Sequence, residues 1–538
     1  MTSSLGRGLA LSLGLGIAAC SLIVQRDGVQ CKVDGDCKNR GPAFADSKCD
    51  PATNVCIAAC NVNADCKTQP AVCRASQCVQ LLSTECDRTI PVIGMGQAVD
   101  ENAILLGALF ALKGTNASSG IARVNSVDIA INNVARDVVG LPGVMGAKPR
   151  PLLAIVCTDT DANNVDVSQI AAKHLIDVGG VAVMGPGSSG LVLNVAKIIT
   201  IPGNEFLIAP SATTTQLTGL SPLVWRTAPS DEIQSRALNS SVAELEAKYR
   251  ADNMIMMATP LKIAIVYKND SYGNDLFKLV AGNAKINGLP ITDAMNVANY
   301  RGIQFDPMMD FASVVTDLTN FKPNLIALFG TTEVITKILQ PVEMSWPVMT
   351  LRPAYLLADG GRKAELLTAV AGNDPLRLRI RGTVPGVNEN TNQLFKLFRL
   401  AYQSKFQSNA MLCPNMRCPD VFGMAGVYDS VYLLSLAMAS IPPSMPITGA
   451  GIAAGMTKMT GGTKFQIGMD KLQDAINLIA SGKALDVDGA SGPLQFDNTA
   501  HEAPSDIQVW CVSGGDFYTT GRFYNAATQV MSGVFSCP

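Results

Sequence analysis

Gly185-Pro-Gly187-Ser-Ser-Gly190 and Pro210-Ser211-Ala212-Thr213-Thr214 are the segments of this 538-residue chain whose residue types and spacing suit chemistry. The first fits G-x-G-x-x-G, follows an apolar run and opens a helical pattern, as a dinucleotide fingerprint should. Such a fingerprint also needs an acidic residue at the end of the next strand to hold a ribose. The next apolar run, Phe206 to Ala209, ends in Pro210-Ser211-Ala212-Thr213 with no carboxylate. A dinucleotide is therefore not expected. What remains is a pair of loops rich in amides and hydroxyls, each leading into a helix, a general site for a small anion such as a carboxylate. Ser189, Ser211 and Thr213 would serve equally as helix N-caps in the absence of a ligand.

Catalytic equipment is sparse beside these loops. The chain has two histidines, His174 on what reads as the solvated face of a helix and His501 in a polar turn. No nucleophile elbow, phosphate-binding P-loop or His-Glu-x-x-His motif occurs. Nothing favours a lysine or carboxylate-pair enzyme, so a non-enzymatic binding role is expected.

Composition points the same way. Only 16% of residues are Asp, Glu, Lys or Arg, against roughly 25% in an average globular chain. Lys plus Arg (42) nearly balances Asp plus Glu (44), so no field is available to gather nucleic acid. A small neutral or zwitterionic partner is expected.

The cysteines divide the chain into unlike parts, with ten of the fifteen between Cys20 and Cys86. The start, cationic at Arg7 and apolar from Gly8 to Ala19, reads as a secretory signal too short to span a bilayer. Ile17-Ala18-Ala19-Cys20 resembles a bacterial lipobox, which implies cleavage before Cys20 and a lipid on its thiol. Then Cys31-Lys-Val-Asp-Gly-Asp-Cys37 recurs as Cys60-Asn-Val-Asn-Ala-Asp-Cys66, followed by Cys49 and Cys56 in one unit and Cys73 and Cys78 in the other. Units this short bury too little apolar surface to fold unaided, and disulfides supply the stability in an exported chain. Zinc is disfavoured, because the segment has no histidine and no Cys-x2-Cys knuckle. Spacing leaves the pairing within each unit open. Farther on, Cys413 with Cys418 suits a local bridge and Cys511 with Cys537 a terminal hairpin, leaving Cys86 and Cys157 as an unpaired remainder.

The elements that must position the loops follow from the apolar pattern. Strands are expected at Ile104 to Leu112, Leu152 to Cys157, Val181 to Met184 and Phe206 to Ala209, separated by helices at Gly120 to Arg136, Val165 to Asp177 and Leu191 to Ile199. The alternation pauses near Trp225 and resumes at Ile263 to Tyr267, Leu325 to Phe329 and Ala354 to Leu357. Alternation of this kind implies βαβ units around parallel sheets, and the pause implies two lobes.

Six stretches in order carry a resemblance: Val183 to Gly190, Ala209 to Thr213, Trp225-Arg-Thr-Ala-Pro-Ser-Asp231, Ser271-Tyr272-Gly273, Gly426-Val-Tyr-Asp-Ser-Val-Tyr432, and Ser491-Gly-Pro-Leu-Gln-Phe-Asp497. The chain resembles the type I periplasmic binding proteins, in the branch of Leu/Ile/Val-binding receptors of ABC transporters, over roughly residues 90 to 530. The resemblance implies an α/β fold of two Rossmann-like lobes joined by a three-segment hinge, with crossings near Ala228 to Asp231, Gly382 to Val384 and Gly492 to Phe496. It divides the chain into a signal peptide (1–19), a lipidated tether (20–30), a Cys-rich module (31–86) and a bilobal domain (87–538). Lobe 1 would take about 90–230 and 385–491, and lobe 2 about 232–381 and 497–538.

Carried over residue by residue, Ser189 matches the serine that binds the ligand carboxylate. Ser211, Ala212 and Thr213 match the segment holding carboxylate and ammonium. Tyr272 matches a ring that closes over the ligand, and Asp359 an acid facing the ammonium. Tyr272 would otherwise be a turn residue, and Asp359-Gly360 an ordinary tight turn. Gly330-Thr-Thr-Glu333 stands where relatives carry stacking tyrosines, and Met456 to Gly468 looks like an insertion. The resemblance implies a small solute, amino acid or amide, with no cofactor or metal. It implies a cell-envelope location and either an ABC permease or a sensory partner.

Overall fold

The structure is a computed structural model describing residues 29–538 apart from 42–43, 45–46, 59, 67–69, 145–147, 161–165, 308–309 and 390. The expected leader and Cys20 lie outside the described residues.

Each cysteine-rich unit ends in a hairpin, Ser47–Asp50 with Val55–Ala58 in the first and Ala71–Arg74 with Gln77–Gln80 in the second. Both pair first with third and second with fourth cysteine: Cys31–Cys49 and Cys37–Cys56, then Cys60–Cys73 and Cys66–Cys78. The repeated aspartate before the second cysteine has a structural cause. Asp36 accepts the amides of Lys32 (2.7 Å) and Val33 (3.1 Å), and Asp65 those of Asn61 (2.8 Å) and Val62 (3.2 Å), closing the same turn in each unit. The second unit is fused to the body. Val72 and Leu81 share a core with Leu105, Leu153 and Leu175. His174 Nε2 lies 3.0 Å from the Leu81 carbonyl, so this histidine is a contact with the module and not part of a solvated face.

In lobe 1, β1 (Cys86–Ile90), β2 (Ile104–Phe110), β3 (Leu152–Thr158), β4 (Ala182–Met184), β5 (Phe206–Ala209) and β6 (Val224–Arg226) form a sheet of order β6-β5-β4-β2-β3-β1. All pairs are parallel except β1 with β3. Helices α1 (Ala117–Val138), α2 (Val167–Asp177) and α3 (Ser189–Val195) connect them. Cys86 and Cys157 stand opposite each other on β1 and β3 and are bonded. They are a pair and not a remainder; only the topology reveals this, because 71 residues separate them. Cys413–Cys418 and Cys511–Cys537 are bonded as expected.

In lobe 2, α4 (Asp231–Asp252) leads to β7 (Ile263–Lys268), α5 (Ser271–Asn283), β8 (Tyr300–Phe305), α6 (Ala312–Phe321), β9 (Leu325–Phe329), β10 (Ala354–Leu357) and β11 (Ile380–Pro385). The chain then returns to lobe 1 for α7 (Gln393–Phe406) and α8 (Met424–Ala439), and ends with β12 (Ile507–Ser513), β13 (Asp516–Asn525) and β14 (Val530–Ser532). The second sheet runs β8-β7-β9-β10-β11-β12-β13-β14, parallel as far as β11 and antiparallel beyond. The central strands β2, β3, β9 and β10 are buried throughout, as continuous apolar runs in covered parallel sheets should be. α8 is mostly apolar around its circumference and buried along nearly its whole length, packed on α1.

The chain passes between the sheets three times, and two passages fall later than expected. β11 stays hydrogen-bonded to β12 through Pro385, so Gly382 to Val384 lie inside a strand and the crossing follows Pro385. Gly492 to Phe496 remain with lobe 1, since Asp488 bridges Pro493 and Glu502 bridges both Asp497 and Arg226. The Arg226 side chain fixes that region as well, donating to Glu502 (2.8 Å from Nε), the Thr214 carbonyl (2.8 Å) and Thr218 (2.7 Å). The conspicuous Asp429 and Ser491 motifs meet: the Asp429 carboxylate accepts the Ala490 amide (2.9 Å), the Ser491 amide (2.8 Å) and the Ser491 hydroxyl (2.5 Å). The Met456 to Gly468 segment contributes strand Thr463–Gln466, parallel to Leu485–Asp488.

Candidate functional site

Loops at the carboxyl ends of strands from both lobes line one cavity of about 340 Å³. Such ends are where open α/β sheets hold ligands. Lobe 1 contributes Asn116 and Arg123 after β2, Asp159 after β3, Gly187 to Gly190 after β4 and Ser211 after β5. Lobe 2 contributes Lys268, Asp270 and Tyr272 after β7, Thr331 after β9, and Asp359 to Lys363 around the turn after β10, Gly361 excepted.

Of the expected residues, Ser189, Ser211, Tyr272 and Asp359 reach the cavity wall, whereas Ala212 and Thr213 are fully buried behind it. The β4 turn bends at Gly185 (φ +101°), where a Cβ would stand 2.1 Å from the Leu109 carbonyl oxygen. Ser189 opens α3 but does not cap it. Its Oγ accepts the amides of Thr213 (3.2 Å) and Thr214 (3.3 Å), stitching the two lobe 1 loops together. Ser211 Oγ donates to the Gly187 carbonyl (2.9 Å). The Thr213 hydroxyl faces the Asp231 carboxylate and favours its ionised form, and the Thr213 carbonyl accepts the Asp231 amide (2.7 Å) at the first crossing.

Across the cavity, the Tyr272 hydroxyl donates to Asp359 Oδ1 (2.8 Å) and accepts the Gly360 amide (3.0 Å). Burial pushes the Asp359 carboxyl upward and raises Tyr272 well above its ordinary value, the neighbouring Asp359 charge adding to the latter. Asp231, fully buried, is pushed up by burial and then by the Asp359 charge, against the opposing pull of the Thr213 hydroxyl and Arg226. The two acids form a pole of electron-rich oxygen behind Tyr272, suited to a cationic or donor group.

Four residues on or behind the wall escaped sequence reasoning: Arg123, Asp159, Asp231 and Lys363. Asp159 accepts the Gly187 amide on Oδ2 (2.9 Å), and burial raises it to about 6 against the pull of that amide, the Thr160 hydroxyl and Arg123. Arg123 donates from Nε (3.2 Å) and Nη2 (2.9 Å) to the Phe422 carbonyl, and burial lowers it to about 10. Lys363 reaches from lobe 2 to Ser119 Oγ on α1 (2.9 Å), and burial, then Arg123, lowers it to about 7. The available signal was a basic residue on the buried, apolar stripe of α1, beside Val124 and Val127. The departure at Gly330 to Glu333 also has an explanation. Thr331 lines the cavity, while Glu333 turns to Thr331 (2.6 Å) and Lys268 (3.6 Å), so no ring stacks there.

The lobes touch around this cavity. Asp275 of α5 accepts the Thr214 hydroxyl and both the amide and hydroxyl of Thr215 (2.9 Å each). Ser118 donates to Glu365 (3.0 Å) and Thr332 to Asn116 (3.2 Å). Arg362 joins Glu389 of the second crossing (2.7 Å) to Asp420 of lobe 1 (2.9 Å). Among the described residues, the cysteine clusters spaced like metal sites are the disulfide-bonded ones of the module.

Two α/β lobes joined by three passages of chain and closed over a shared cavity define a solute-binding protein of the hinged kind. A family profile described as periplasmic binding protein matches residues 103–516, and the chain belongs to that family, which is extracytoplasmic and non-enzymatic. An uncharacterised protein of Methanocaldococcus jannaschii is 23% identical over 299 residues, covering 53% of this chain and 63% of that protein. The fold is similar to that of the branched-chain amino acid transporter substrate-binding protein LivJ of Streptococcus pneumoniae in complex with isoleucine. The TM-score is 0.56, with 16% identity over 80% of this chain and 99% of that one. It is also similar to an ABC transporter solute-binding protein of Rhodopseudomonas palustris BisB5 in complex with 3,4-dihydroxybenzoic acid, at TM-score 0.56 and 17% identity over 79% and 98%. No described helix is long and apolar enough to cross a membrane.

Proposed function

We infer that the chain is a lipid-anchored solute receptor of the cell envelope that closes around one small carboxylate-bearing solute, an amino acid or related amide, and delivers it to an ABC permease. The observation carrying this reading is the cavity itself, which faces hydroxyl- and amide-rich loops of lobe 1 toward the Tyr272–Asp359 pair of lobe 2. A carboxylate needs donors and an ammonium needs a carboxylate, and this arrangement offers both at the seam of closure. The solutes named for the two similar folds, isoleucine and 3,4-dihydroxybenzoic acid, both carry a carboxylate. Ser189 and Ser211 form the carboxylate side, with the Thr213 amide freed from Ser189 on binding. Asp359 forms the ammonium side. The lipobox at Cys20 supplies the anchor.

A thermal-shift screen of amino acids, amides and small carboxylates tests the reading. A solute present at a hundredfold its dissociation constant adds about 2.7 kcal/mol of stability. A panel in which no solute raises the melting temperature refutes it. For the anchor, Cys20→Ala should move the protein from the membrane fraction to the soluble one.

A further inference from the structure

Arg123 and Lys363 come from opposite lobes and meet in the cavity. Lys363 donates to Ser119, which lies four residues before Arg123 on the same buried face of α1. The ammonium therefore docks one helical turn, about 5.4 Å, from where Arg123 leaves the helix. Arg123 spends Nε and Nη2 on the Phe422 carbonyl and turns Nη1 toward Gly187, where a Cβ would stand 2.9 Å from it.

The other two cations on the wall are neutralised. Lys268 has Asp270 (3.2 Å) and Glu333 (3.6 Å), and Arg362 has Glu389 and Asp420. Among the described residues, neither Arg123 nor Lys363 is in an ion pair. Asp159 and Asp359 share the wall and their charges favour the Arg123 cation, as those of Glu365, Glu333 and Asp359 favour Lys363, but none of them is at ion-pair distance: Asp159 is turned to the Gly187 amide and Asp359 to Tyr272. Two buried like charges brought together by closure repel each other, and burial disfavours each cation singly. An anion lying between them removes both penalties, and it can do so only when the lobes are shut.

We propose that Arg123 and Lys363 form a clamp, one jaw on each lobe, that makes the closed cleft select solutes of net negative charge, a dicarboxylate or an acidic amino acid, over neutral zwitterions. This rests on the cleft being the solute site. It goes further in assigning selectivity to two residues outside the serine and threonine loops.

Calorimetric titration of the full chain with succinate, glutamate, benzoate and leucine tests it. Succinate and glutamate should bind at least tenfold more tightly than leucine. Arg123→Met and Lys363→Met should each weaken succinate and glutamate by at least about thirtyfold, the effect of truncating one side of a buried charge contact. Lys363→Met should weaken leucine far less than it weakens the two acids and leave the unliganded melting temperature no lower than the parent's, which separates a lost acidic contact from lost folding. Leucine or benzoate binding as tightly as succinate and glutamate, or undiminished affinity for both acids in Lys363→Met, overturns the clamp and leaves the solute-binding reading standing. Failure of all four probes and of the wider solute screen overturns both.

Discussion

Replacing Ser189 with alanine should destabilise the protein even with no solute present. The hydroxyl accepts two amides, those of Thr213 and Thr214, at 3.2 and 3.3 Å, and both residues are fully buried. Alanine leaves both donors without an acceptor. At about 0.5–1.5 kcal/mol for each neutral hydrogen bond, the loss is about 1–3 kcal/mol. The effect also spreads to the lobe contact, because the same loop presents Thr214 and Thr215 to Asp275. Urea unfolding followed by tryptophan fluorescence suits the measurement, since Trp225 is buried in lobe 1 and Trp510 in lobe 2. The variant should show an earlier transition at Trp225. Thr213→Ser is the contrast: it keeps the hydroxyl and the backbone and removes one carbon from a fully buried side chain, about 0.8 kcal/mol, so its midpoint should shift less than that of Ser189→Ala. An unfolding midpoint unchanged in Ser189→Ala, together with weakened solute binding, would refute the reasoning. The hydroxyl would then serve the solute alone.

Further outcomes follow from the buried charges and the bridges. Arg362→Met leaves Glu389 and Asp420 buried without their cation, and should cost about 3–5 kcal/mol, read as a fall in melting temperature that Asp420→Asn partly restores. Asp159 is raised by burial to about 6 from an ordinary 3.8, so the folded state holds the proton more tightly and stability is lost as pH rises from about 4 to about 6. This amounts to about 3 kcal/mol for the one group, and Asp159→Asn should flatten that part of the stability curve. Removing the Cys86–Cys157 bridge with a double serine variant frees a 71-residue loop and should cost about 4 kcal/mol by chemical denaturation.

The βα alternation was legible because each strand is an apolar run bounded by turn residues. Phe206–Ala209, Leu325–Phe329 and Ala354–Leu357 fall where the pattern puts them. Ser189, Ser211, Tyr272 and Asp359 were legible because they sit at strand ends or in turns with recognisable neighbours. Arg123 was not, since a charged residue inside a helix pattern reads as a solvated position until tertiary packing buries it. Lys363 was hidden for a related reason: its partner Ser119 lies 244 positions away in the other lobe. The later crossings after Pro385 and beyond Glu502 were displaced by hydrogen bonding to β12 and by the Arg226–Glu502 tie, neither of which leaves a local trace. Thr213 shows the opposite error, a residue of the right type at the right spacing that packing turns away from the cavity.

Closure of the two lobes on one solute molecule is tested most directly by small-angle X-ray scattering of the purified chain, titrated with the most stabilising solute of the screen. The radius of gyration should fall and level off at one equivalent of solute, and Lys363→Met should require more of an acidic solute to reach the same plateau. A radius of gyration that stays constant while calorimetry shows the solute fully bound would contradict the hinged-receptor account.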